Sequence, residues 1–396
     1  MSLTVLLDMD DTLLTNEMER FLPAYLQELS SHLQNRVPQD RMIQFLLAGT
    51  KAMVQNQLPG KTLEQAFDEV FYPGIGCAKN ELSAQLADFY ANAYPALKSV
   101  TSVRPDAVEF VEWAFSQGYR IAIATNPLFP KTAIEQRLAW AGLPVTKYPF
   151  ALVTSFETFH FAKPNPAYFA EILGQLEWPE GPAVMVGNSL KEDIQPAQAL
   201  GISTFHLQVE ASQNGANAGN FSQLKTWLKK VAKSQPTQPQ TPQALTALLS
   251  SAPAALQTLS AGLDTNRWNQ RPKENEWSLG EIFCHLRDVD IEVTIPRTQR
   301  IQHEDTPFIT AEVTDVWAEK RHYLQENPIR ALEDFTQART RLLLQLQQLG
   351  AADWSRPARH AIFGPTTLGE LLAFTITHDQ NHIRQVAKTM RWLKGE

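Results

Sequence analysis

Three carboxylates crowd into Asp8-Met9-Asp10-Asp11-Thr12, directly after the apolar run Val5-Leu6-Leu7. Acids this close repel one another unless a cation neutralises them or one stays protonated. Either condition serves phosphoryl transfer: a metal holds phosphate oxygens, Asp8 attacks phosphorus, and Asp10 carries the proton for the leaving oxygen. Three later segments fit the same chemistry. Ile121-Ala-Ile-Ala124 ends in Thr125-Asn126, a hydroxyl donor at the end of a strand-like run. Phe161-Ala-Lys163-Pro-Asn-Pro166 sets a lysine among prolines that fix its backbone, suited to holding phosphate. Val184-Met-Val-Gly187 runs into a turn that offers Asn188, Glu192 and Asp193 to a cation. Singly these residues have ordinary readings: an acidic turn, a surface lysine, Asp11 as a solvated or capping acid, Thr12 as loop support.

A second set is made of histidines. His378 and His382 are four apart, hence one helical turn from each other, and border the stripe Leu368, Leu371, Leu372, Ile376, Ile383, Val386 and Met390. His285 lies a turn from Ile282 and Val289. Convergence of the three would make a facial site with open positions for Zn²⁺, Ni²⁺ or Fe²⁺; the alternative is core histidines satisfied by hydrogen bonds. Asp288 and Asp379 are either orienting partners of the imidazoles or exposed helix acids. His303, His322 and His360 read as surface or structural, and Cys284 as a buried structural cysteine.

Elements must carry these residues. Strand-like runs at 5–7, 119–124, 150–154, 183–186 and 203–207 alternate with helical stretches, which predicts a parallel sheet covered by helices. Residues 16–100 lack a convincing strand and read as a helical insert, with one helix opening at the capping box Thr62-Leu-Glu-Gln65. Three prolines in 234–242 mark a linker. Beyond it, long helices over 243–263, 278–302, 329–349 and 367–393 predict a four-helix bundle, two of them opening with Ser278-Leu-Gly-Glu281 and Thr367-Leu-Gly-Glu370. The expected domains are 1–233 and 243–396. The length, 396 residues, is too great for one ordinary domain, and 43% hydrophobic with 19% charged residues argues for folded structure. A net charge of −7 without a basic run argues against nucleic acid. Two cysteines make no disulfide framework, the N-terminus does not match a secretory signal, and no apolar run approaches the ~20 residues of a membrane span. A cytoplasmic protein is expected.

Asp8-x-Asp10-x-Thr12, Thr125, Lys163 and the turn from Gly187 to Asp193 resemble, in order and strand context, the four motifs of the haloacid dehalogenase-like (HAD) hydrolases. The resemblance covers the first ~230 residues and implies a HAD-like Rossmannoid α/β domain with a helical cap inserted after the first strand. It also implies Asp8 as nucleophile, Asp10 as general acid/base, Thr125 and Lys163 holding the phosphoryl group, and Mg²⁺ held by Asp8, Asp193 and the backbone carbonyl of Asp10. The acid at Asp10 favours a phosphatase over a dehalogenase. Asn188 departs from the family, standing where many members have Asp, and removes one charge from the metal site.

The stretch from Glu276 through His285 to Asp288, together with Thr367-Leu-Gly-Glu370 and His378-Asp-Gln-Asn-His382, resembles the DinB-like four-helix bundles over roughly 242–396. That resemblance implies a divalent metal on His285, His378 and His382. Three functions follow: a Mg²⁺-dependent phosphatase of a small phosphorylated metabolite working through an aspartyl phosphate; a metal-dependent thiol transferase or hydrolase in the bundle; or a non-catalytic metal-binding or sensing module with an impaired HAD-like site. No nucleic-acid or membrane partner is expected. A bundle can form a homodimer through an apolar face, though no such face is identifiable from sequence.

Overall fold

The computed structural model describes residues 2–208, 217–234 and 241–395. Most of the expected linker, 235–240, lies outside them; at its end Thr241 caps a helix and Pro242 begins it, where the missing N–H of proline costs nothing.

The chain divides into two compact units, the second taking in the bundle together with Leu58–Gly60 and Phe169–Trp178. In the first unit the apolar runs pair into an all-parallel sheet: β1 (Thr4–Leu7), β2 (Arg120–Ile123), β3 (Leu152–Val153), β4 (Ala183–Gly187), β5 (Ser203–Leu207) and β6 (Ala218–Gly219). The strand order is β3-β2-β1-β4-β5-β6, that of a doubly wound α/β fold. Val5, Leu6 and Leu7 are all fully buried, as a central strand covered on both faces must be. Leu7 pairs with Ile123 on one side and Val186 on the other. The segments that leave β1, β2 and β4 therefore emerge together at one edge of the sheet.

Between β1 and β2 the insert folds as α1 (Met18–Leu33), α2 (Gln39–Gln55), α3 (Leu63–Ile75) and α4 (Lys79–Asp88), closed by short π and 3-10 turns up to Val100. Thr62 and Gln65 form the expected capping box at the start of α3. A cluster of Phe21, Tyr25, Phe89 and Tyr94, with ring centroids 6.0–6.4 Å apart, holds α1 to those turns. Helices α5 (Pro105–Ser116), α6 (Lys131–Trp140) and α8 (Phe221–Val231) complete the layer pattern of this unit, while α7 (Pro166–Gln175) starts in it and belongs from Phe169 onward to the second.

The bundle consists of α9 (Pro242–Ser260), α10 (Leu279–Val289), α11 (Ile295–His303), α12 (Pro328–Leu346) and α13 (Leu368–Lys394). Both expected capping boxes form, Ser278 with Glu281 and Thr367 with Glu370. The helix expected over 278–302 is interrupted by a π turn at Asp290–Thr294, just before Pro296, which cannot donate to the ladder. A small sheet not expected from the sequence joins Phe308–Ile309, Pro357–His360 and Gly364–Thr367; its two- to four-residue strands are too short to show a period. At the centre, fully buried Arg339 on α12 binds Asp290 at 2.8 and 3.0 Å, Asp379 on α13 at 2.6 and 3.2 Å, and the Leu249 carbonyl on α9 at 3.0 Å. One guanidinium thus ties three helices and the π turn. Among the described residues no helix is long and apolar enough to cross a membrane.

Candidate functional site

At the sheet edge, the β1 and β4 loops and the α7 approach converge on one lysine. Lys163 Nζ lies 2.7 Å from Asp8 Oδ1 and 2.5 Å from Asp193 Oδ1, all three residues being at most 6% exposed. Burial, then the neighbouring Asp193, push the Asp8 carboxyl up to about 6 against the opposing pull of Lys163. Burial alone would lower Lys163, but the two carboxylates hold it well above the usual lysine range. Asp193 can come this close because residue 187 is glycine: a Cβ there would stand 2.2 Å from Asp193 Oδ2. Asp193 Oδ2 also accepts from the Ser189 amide at 3.0 Å.

The remaining residues gather around this triad. Thr12, fully buried, donates to Asn188 Oδ1 at 3.4 Å and also lowers Asp8 by hydrogen bonding. Thr125 is buried at the end of β2, its carbonyl accepting from Thr154 Oγ1 and Tyr168 OH at 2.7 Å each. Asn126 Oδ1 accepts from the Lys163 amide at 3.2 Å and so fixes the lysine loop against the β2 loop. Asp10 points elsewhere: its Oδ1 is held by buried Arg137 on α6 and by Asn16 Nδ2 at 2.9 Å. Asp11 is a local structural acid, accepting from the Asn16 amide at 2.8 Å. Sequence reasoning did not find Arg137, Tyr168 or Asn16, because nothing local to an amphipathic helix or a loop marks the side chain that turns inward.

Mg²⁺ is a hard cation that takes oxygen ligands. The buried Asp8 and Asp193 carboxylates, with one ammonium between them, leave an excess of negative charge on oxygen donors, and the exposed Asn188 adds a side-chain carbonyl, which fits such an ion.

In the bundle, His285, His378 and His382 offer nitrogens that all lie within 4.8 Å of one another. Nε2 of His378 stands 2.9 Å from Nε2 of His285 and 3.2 Å from that of His382. Three nitrogens on one ion at ~2.0–2.1 Å would stand roughly 2.8–3.4 Å apart for octahedral to tetrahedral angles, so the donor set fits a transition metal. Gln385 Oε1 accepts a hydrogen bond from His382 Nδ1–H at 2.9 Å, which keeps the proton on Nδ1 and leaves Nε2 as the lone-pair atom. Trp277 lies parallel to His382 at 5.9 Å and against His285 at 4.9 Å, covering the cluster with an apolar ring. Burial, then the neighbouring imidazoles, depress His285 to about 2 and His382 to about 4, which favours the neutral, metal-binding form.

Asp379 Oδ1 is 3.9 Å from His378 Nδ1 and is committed to Arg339. Asp288 is neither an imidazole partner nor exposed: it is buried, bound by Arg287 at 2.7 Å, Arg321 at 2.7 Å and Tyr323 at 2.6 Å. His360 is structural, its Nδ1 accepting from the Ile362 amide at 3.2 Å. Cys284 is buried, its thiol pushed up to about 12 by burial first.

The chain belongs to the haloacid dehalogenase-like hydrolases, whose family model matches residues 3–201. The DinB superfamily model matches residues 248–386, which contain all three histidines. A ribulose-1,5-bisphosphate 5-phosphatase of Halopiger xanaduensis is 38% identical over 119 residues, 30% of this chain and 46% of that protein, so the chain spans about half the length of this relative. The uncharacterized protein YuaE of Bacillus subtilis is 26% identical over 137 residues, 32% of this chain and 84% of its own. Among solved structures, YfiT from Bacillus subtilis, described as a probable metal-dependent hydrolase with an unusual four-helix bundle topology, is 18% identical with a TM-score of 0.36, covering 42% of this chain and 96% of its own.

Proposed function

We propose that the first unit is a Mg²⁺-dependent phosphatase of a small phosphorylated metabolite and that the bundle binds a divalent transition metal. The observation that carries the first part is Lys163 held between Asp8 and Asp193 at the edge where β1 and β4 end. Asp8 attacks phosphorus and becomes an aspartyl phosphate as the ester oxygen leaves with a proton from Asp10. Asp10 then takes a proton from the water that releases phosphate. Lys163 and Thr125 stabilise charge on the transferred group. Asp8, Asp193, Asn188 and the Asp10 carbonyl would hold Mg²⁺, which would supply Lewis-acid neutralisation of phosphate charge. Arg137 fixes Asp10 in its loop, so rotation of that carboxylate toward the ester accompanies substrate binding. The Halopiger relative's name supports a phosphate ester as substrate class.

The test is phosphate release from p-nitrophenyl phosphate and a panel of phosphometabolites, with and without Mg²⁺. Release by the wild type should depend on Mg²⁺ and fall by about 10³-fold or more in Asp8→Asn. A folded wild type that releases no phosphate from any ester refutes the reading.

A second reading places a metal-dependent hydrolase or thiol transferase in the bundle. The convergence of three Nε2 atoms beneath Trp277 favours it. Bound there, a Zn²⁺, Ni²⁺ or Fe²⁺ ion would supply activation of water or a thiol, and the three histidines would leave open positions for it.

A further inference from the structure

Within the first unit, the cap helices and the segment after β2 enclose a cavity of about 810 Å³, inside the ~300–1,000 Å³ range of small-molecule sites. Its wall is mainly apolar, with Leu22, Met53, Phe67, Leu86, Leu128 and Phe129 among the lining side chains. Most polar groups on that wall are already engaged. Lys79 binds Glu64 at 2.6 Å and Asp68 at 2.7 Å. The Tyr25 and Tyr90 hydroxyls pair at 3.1 Å, Thr50 donates to the Leu46 carbonyl at 2.9 Å, and Ser83 to the Asn80 carbonyl at 3.0 Å. Gln136 donates to the Tyr90 carbonyl, but its Oε1 is buried with no partner.

The cavity also adjoins the catalytic loops. Phe129, on its wall, follows the Thr125-Asn126 turn closely, and the Arg137 guanidinium that holds Asp10 lies 5.6 Å from the Phe129 ring centroid. Phe129 in turn packs against Tyr25, also on the wall, at 5.3 Å. A polyol entering here would surrender hydrogen bonds to water and find most of the polar wall groups taken. An apolar body would gain with each ångström squared it buries.

We propose that the phosphomonoester hydrolysed here carries a bulky apolar leaving group, aromatic or aliphatic, with one hydrogen-bond donor placed for Gln136 Oε1. This rests on the phosphatase reading and names its substrate class.

The full chain with Mg²⁺ is assayed on 1-naphthyl phosphate, methyl phosphate, ribose 5-phosphate and ribulose 1,5-bisphosphate. kcat/KM for the naphthyl ester should exceed that for each sugar ester by at least about ten-fold. Ala91→Trp, which fills space on the wall, should cut the naphthyl-to-methyl ratio of kcat/KM by about ten-fold. Preference for the sugar esters, or an equal loss on both simple esters in Ala91→Trp, overturns the proposal. Calorimetric binding of 1-naphthyl phosphate to Asp8→Asn separates the two levels. Binding that Ala91→Trp weakens, in a protein whose wild type releases no phosphate, sinks the phosphatase reading and supports an apolar occupant. No binding to the folded protein sinks the apolar occupant itself.

Discussion

Lys163 illustrates how one residue's meaning depends on burial. An exposed lysine beside acids is worth little, but here Lys163 is 2% exposed and bridges two buried carboxylates, so removing the lysine leaves both without a compensating charge. The histidines pose the opposite case, neutral groups kept neutral. A free imidazole titrates near ~6.5, whereas His285 and His382 are held at about 2 and about 4 by burial and by each other's neighbourhood. Between about pH 6.5 and 4 the unfolded chain binds protons that the folded bundle refuses, so the stability from keeping them neutral is present above that window and lost as pH falls through it. The thermal midpoint of the metal-stripped bundle should therefore fall by roughly 5 °C or more between pH 7 and pH 5, and His382→Gln should flatten that slope. A midpoint that rises on acidification contradicts the assignment.

At the scale of elements, caps decide where the functional helices start. Ser278 Oγ accepts from the Glu281 amide while Glu281, itself fully buried, returns a bond to the Ser278 amide and pairs with Arg271. This fixes the start of α10 and hence the azimuth of His285. Ser278→Ala should cost ~1 kcal/mol of stability, within a range of about 0.5–2, measured by urea unfolding of the full chain. A loss below the error of that measurement would mean that packing alone sets the helix start. Interruption of α10 and α11 by the π turn has its own use: it carries Asp290 into Arg339's reach, where one buried guanidinium serves two buried carboxylates, Asp290 and Asp379.

For the whole molecule, the two proposed centres would use different donors, oxygen in one and imidazole nitrogen in the other. They should load and fail separately. Asp8→Asn should abolish phosphate release while keeping about one transition-metal ion per chain by elemental analysis, and His378→Ala should lose that ion while phosphate release stays within about two-fold. Loss of both properties in either variant would show that the centres depend on each other.

The strand runs, the helical insert, the three capping boxes and the order of Asp8, Thr125, Lys163 and Asp193 were legible in the sequence, because hydrophobic period, cap chemistry and local motif spacing are written along the chain. The i, i+4 histidine pair was legible for the same reason: helix geometry alone sets both on one face. Tertiary structure decided the rest. Which way Asp10 turns, that Arg137 and Arg339 lie inside, that His285 Nε2 comes to 2.9 Å from His378, and that Gly187 must lack a Cβ for Asp193 to approach are facts about neighbours far apart in sequence. A buried charge is tolerated only where packing brings its partner. No local pattern announces that partner, so the short sheet near Pro357, the π turn and the apolar cavity emerged only when the chain was folded.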